Sequence, residues 1–169
     1  MTNQWWRQVL LFIILVFLQV YIFNKIHILG FITPLLYIYF IIKLPTDMNR
    51  NVVLLLSFLL GFSIDFFNYS LGVHMLASTV AGFVRYYGLQ LFSPRDLVNF
   101  CVPSINIFGT GLFLRYASFV VLLHQVVLFS VESFSLLDPL ILFCRIAGSS
   151  VFTLLLIYGL EQFNPRIKK

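Results

Sequence analysis

The chain has 169 residues, of which 60% are hydrophobic and only 10% charged, with a mean hydropathy of +0.98. A soluble domain carries about 25% charged residues, so a soluble core is excluded and the chain reads as an all-α polytopic membrane protein, a single transmembrane domain over 1–169. Its formal charge of +5 comes from basic residues scattered singly at segment ends, which excludes a nucleic-acid-binding face and bears on membrane orientation instead.

A helix needs about 20 apolar residues to cross a hydrocarbon core of ~30 Å. Trp5-Trp6-Arg7 lead into the apolar run Val9–Phe23, which has no small-x-small cleavage site and reads as a retained first helix over 6–24. A second segment, 29–44, carries Pro34 near its start and is short; a tilted span and a re-entrant piece both fit it. Pro45 ends it, because proline disfavours helical geometry in the residue before it. The third helix is predicted over 50–68 and the fourth over 72–92, joined by the tight loop Asn68–Gly72. Ser93-Pro94-Arg95-Asp96 has the chemistry of a helix start and predicts a short interfacial piece over 94–102, followed by irregular backbone from Pro103 to Gly111. The fifth helix is predicted over 111–132. The sixth, over 139–162, starts after Asp138 with Pro139 in its first turn. The sum is a six-helix transmembrane bundle. On one side fall Arg7, Lys43, Arg50, Arg95, Arg115, Arg166, Lys168 and Lys169; on the other falls only Lys25. By the positive-inside rule both termini are cytoplasmic for six spans.

Four ionisable residues, Asp65, His74, Arg85 and Arg145, stand in stretches otherwise apolar, where charge is costly and usually faces a partner or a cavity. Counting ~1.5 Å per residue puts Asp65 about 8 Å and Arg145 about 10 Å below the outer surface, with His74 nearby and Arg85 ~20 Å down. Depth thus favours Asp65 pairing with Arg145 or His74, and Arg85 snorkelling toward inner headgroups beside Tyr86 and Tyr87. His124 in the fifth helix is a further candidate member. A proton or ion relay and a register-fixing polar pair both fit these residues; the relay lacks polar groups through the middle of the first two helices. Ala77, Ser78, Ala81 and Gly82 form a small-residue face that suits either close packing within the bundle or docking of another membrane protein. Tyr37, Tyr39 and the Trp5-Trp6 pair suit interface belts. No HExxH, phosphate loop, paired carboxylates or Ser–His–Asp set is present, Cys101 and Cys144 form no CxxC, and no enzyme activity, cofactor or metal is expected.

Leu44-Pro45, Arg50–Leu56, Gly61, Asp65, Gly72-Val73-His74 and Arg85 together resemble the rod shape-determining MreD family of bacteria. Pro34–Tyr37, Ser93–Asp96, Gly111–Phe113, and His124 with Leu128-Phe129 and Glu132–Phe134 fit the same pattern, so the resemblance covers the second to fifth helices. It implies a non-enzymatic scaffold of the cell-elongation machinery in the bacterial inner membrane, binding MreC. The wider assembly would include MreB, RodA and a penicillin-binding transpeptidase. It also implies a fold similar to the substrate-binding subunits of energy-coupling-factor transporters. The rival expectation is a small-molecule-binding membrane subunit of a transporter, with an outward pocket lined by polar side chains.

Overall fold

The computed structural model describes residues 2–26, 32–70, 72–92, 101–133 and 138–163. The start signal at Ser93–Asp96 and the joint over 97–100 lie outside them. The described residues form helices and no strand. They are α1 (Thr2–Tyr21), a 3-10 turn (Phe23–Lys25), α2 (Ile38–Lys43), α3 (Arg50–Asn68), α4 (Val73–Phe92), α5 (Ile105–Phe108), α6 (Thr110–Glu132) and α7 (Pro139–Gln162). Four stretches are long and apolar enough to cross a membrane: Trp5–Lys25, Arg50–Asn68, Thr110–Glu132 and Pro139–Gln162.

The helix ends follow local chemistry. Asn49 caps α3 by accepting the Asn51 N–H at 3.0 Å, which satisfies one of the donors a helix start leaves open. The far end of α3 closes on Tyr69, left-handed at φ 54°, whose N–H bonds back to the Asp65 carbonyl. Within the joint predicted to be irregular, Ile105–Phe108 makes one helical turn before Gly109, at φ 76°, redirects the chain into α6.

Helix α4 packs between α3 and α6. Its small face is used inside the chain: Ala77, Ser78 and Ala81 are fully buried, and Gly82 sits against Ser57 of α3. Gly61 of α3 returns the fit, since a Cβ there would meet the backbone of His74 and Met75. Small residues on both helices thus let two backbones approach closely, so this face is not open for docking.

The segment predicted as a helix over 29–44 is different. Only Ile38–Lys43 is helical, Thr33–Leu35 is non-helical, and 27–31 lie outside the described residues. Pro34 explains the break by disfavouring helix at Thr33 and offering no N–H. This stretch is also the most enclosed among the described residues: Tyr37, Ile38, Ile41, Ile42 and Leu44 are at 0% exposure. A run apolar all round suits burial on every side, and here protein rather than lipid surrounds it. Its partners step along the neighbouring helices, from Ser149 to Thr153 to Glu161 on α7, from His74 to Arg85 on α4, and from Gln19 back to Gln8 on α1. The chain therefore runs the length of the bundle here as a half-extended, half-helical core.

Candidate functional site

A broken helix in a dry interior exposes backbone groups that water cannot serve, so irregular backbone at that depth survives only where protein satisfies it. Side chains do so at both ends of α2. At its start, Gln19 of α1 accepts the Leu36 N–H at 2.8 Å and the Tyr37 N–H at 3.4 Å. Thr153 and Ser149 of α7 accept the N–H groups of Leu35 at 3.0 Å and Thr33 at 3.2 Å. At its end, Arg85 of α4 donates to the Leu44 carbonyl and, at 3.1 Å, to that of Pro45. Tyr116 donates to the Ile42 carbonyl at 3.4 Å and Gln8 to that of Lys43 at 3.3 Å. Arg85 is 3% exposed and so does not snorkel toward headgroups; its cation is held by the carbonyl end of a helix, where positive charge is favoured.

Two of the predicted polar residues meet through a third that the sequence reading placed in an interface belt. The Tyr37 hydroxyl lies 3.0 Å from His74 Nδ1 and 2.8 Å from His124 Nε2, and both rings sit edge-on to it. One hydroxyl proton serves one histidine, so the other histidine donates to the oxygen. Asp65 does not join this line. Its carboxylate accepts from the Ser70 hydroxyl and from the backbone N–H groups of His74 at 3.1 Å and Met75 at 2.8 Å. It caps the start of α4 and thereby holds the backbone of His74.

The Asp65–Arg145 pairing expected from depth is not formed. Arg145 is ion-paired with Glu132 at 2.9 Å and lies over the Phe129 ring, 4.5 Å from its centre. Equal depth says nothing about angle around the bundle, and Arg145 faces α6 rather than α3. A second ion pair escaped the sequence reading altogether. Lys43 Nζ, read as a cytoplasmic-side charge at the end of the helix over 29–44, bonds Glu161 Oε1 at 2.8 Å, and both residues are buried. Tyr39, also read as interfacial, donates to the same carboxylate oxygen at 2.5 Å, and the Ile105 N–H donates to the other at 3.1 Å. Glu161 thus ties α2, α5 and α7 together. A lone acid in the last turns of an apolar helix was the available signal.

At the end of the bundle where α3 and α6 finish and α4 and α7 begin, a cleft of about 320 Å³ opens. Asn24, Thr33, Asn68, Ser70, His74, Glu132 and Arg145 supply its polar lining, and Leu35, Val73, Leu128 and Phe129 its apolar wall. His74 connects this cleft to Tyr37 and the buried His124. No family model, curated protein or solved structure matches the chain.

Proposed function

We propose that this chain is a non-enzymatic scaffold of the bacterial cell-elongation machinery, of the MreD kind, seated in the inner membrane and binding MreC. The observation that carries this reading is where the polar residues of the motif put their hydrogen bonds. Asp65 holds the start of α4, His74 holds Tyr37, and Arg85 holds the end of α2. Groups committed to the chain's own backbone and core build a rigid bundle rather than do chemistry, and rigidity is what a docking platform requires. Six passages with both termini cytoplasmic keep the basic residues inside, even with Lys43 withdrawn into its pair with Glu161. Around this platform would gather MreB, RodA and a penicillin-binding transpeptidase. Co-purification with MreC from crosslinked membranes is the test; MreC absent from both the crosslinked and the detergent-purified material would overturn the reading.

One observation favours a second reading, a small-molecule-binding membrane subunit of a transporter resembling the energy-coupling-factor kind. It is the cleft, whose volume of about 320 Å³ lies at the lower end of the range of small-ligand sites and which combines an apolar wall with convergent polar groups. A compound retained through purification and identified by mass spectrometry supports that reading; substrate uptake unchanged by the protein in reconstituted vesicles counts against it.

A further inference from the structure

The hydrogen bonds around the cleft fix which way its amides point. Gln19 Oε1 accepts two backbone N–H groups, which can only donate, so its Nε2 must be the donor at its other end. That Nε2 donates to Asn24 Oδ1 at 2.7 Å and to the Pro34 carbonyl at 3.2 Å. Asn24 then donates its own Nδ2 to Asn68 Oδ1 at 2.8 Å. The chain of amides ends at Asn68 with its Nδ2 protons unused among the described residues, on a residue that lines the cleft. Arg145 adds a cation. Its guanidinium is fixed by Glu132 through Nη2 and by Phe129 on one face, and its side chain keeps 20% of its surface exposed. His74, which also lines the cleft, engages Tyr37 through Nδ1.

A fixed amide donor calls for an oxygen acceptor, and the neighbouring Arg145 cation favours an anionic one. Beside them Glu132, with a 44% exposed side chain, presents a carboxylate. A plain anion would meet Glu132 as a like charge, and a plain cation would meet Arg145. A group carrying both signs satisfies both. We propose that the cleft binds a zwitterionic group, an anionic oxygen cluster next to an ammonium, as in an aminophospholipid headgroup or free O-phosphoethanolamine. The anionic oxygens take the exposed part of the Arg145 guanidinium and Asn68 Nδ2, the ammonium takes Glu132, and Leu35, Val73 and Leu128 receive the carbon skeleton. The inference gives the second functional reading its ligand class and rests on the same cleft.

The test is native mass spectrometry of the full chain released from mixed micelles containing equal phosphatidylethanolamine and phosphatidylglycerol. Wild type should retain phosphatidylethanolamine about tenfold over phosphatidylglycerol, the worth of one charge-assisted contact. Glu132→Gln should bring that ratio near one, and Arg145→Gln should weaken retention of both lipids. Cys144→Ser, an exposed neighbour on α7, should leave the ratio as in wild type. Displacement of the lipid by free O-phosphoethanolamine assigns the site to a soluble ligand, and resistance to it assigns the site to the headgroup; both support the site. A wild-type ratio near one, no retention of either probe, or a ratio unmoved by Glu132→Gln overturns it. Because Glu132 is half-exposed, that variant decides even if Arg145→Gln fails to fold. Selective retention without substrate uptake would overturn the transporter reading alone.

Discussion

Arg85 decides between a cap and a snorkelling charge. Its guanidinium serves the carbonyls of Leu44 and Pro45 from a position 3% exposed. Arg85→Met keeps the apolar stem but removes the guanidinium and with it both hydrogen bonds. A buried carbonyl left without a partner costs ~1–3 kcal/mol, so two cost ~2–6 kcal/mol. Removing the cation also removes the cost of having taken it out of water, which offsets part of that loss. The Pro45 bond is only partly buried, which lowers its share further. The expected net destabilisation is therefore about 2–4 kcal/mol. Arg85→Lys separates the two ideas, because both bonds come from Nη2 at the tip of the guanidinium and the ammonium of the shorter lysine side chain stops short of that point. It should cost about 1–2 kcal/mol. SDS titration of the purified protein in mixed micelles, followed by circular dichroism, measures both. A snorkelling arginine tolerates lysine, since both reach headgroups equally well. Arg85→Lys matching wild type, or Arg85→Met within about 0.5 kcal/mol of it, would refute the capping argument.

The same titration checks three further expectations. Gly61→Ala places a methyl against the backbone of His74 and Met75 and should cost about 1–3 kcal/mol, whereas Gly159→Ala, which meets open space, should be neutral or slightly stabilising. Tyr37→Phe takes the shared partner from His74 Nδ1 and His124 Nε2 and should cost ~1–3 kcal/mol; an unchanged midpoint would show that the two bonds do not hold α2 in place. Lys43→Met and Glu161→Gln should each cost about 3–5 kcal/mol by stranding a buried charge or donor, while the double variant should be more stable than Lys43→Met alone, and plain additivity would argue against a coupled pair.

Much of the fold was legible because it depends on local rules. The bounds of α7 follow from Asp138, Pro139 and apolar length and those of α3 from apolar length, and the helices run Pro139–Gln162 and Arg50–Asn68, while the Asn49 cap went unread. The small face on α4 was likewise readable, since Gly and Ala at four-residue spacing in an apolar helix have few other uses. Asp65, His74, Arg85 and His124 were readable as polar residues that needed partners. Who the partners were was not, because counting residues gives height along an axis and leaves rotation about it free. Hence Arg145, placed level with Asp65, turns out to face Glu132.

The larger miss was the passage over 29–44, and its cause is instructive. Hydropathy rewards it for being apolar all round, yet that same property marks a segment with no polar face to show and no need of lipid. With Pro34 breaking its start, the unpaired backbone groups had to be matched elsewhere in the chain. The matching groups are in the sequence. Gln8 and Gln19 on α1, Arg85 on α4, Tyr116 on α6, and Ser149 and Thr153 on α7 each interrupt an apolar run, and each serves this one segment. Read singly, such residues suggest a relay or a pore. Read against the donors and acceptors that a broken helix leaves open, they form a set of complements: acceptors gather at its start and donors at its end. That polarity is what separates a capped core segment from a proton path, because a path needs groups that both take and give a proton, and Arg85 only donates.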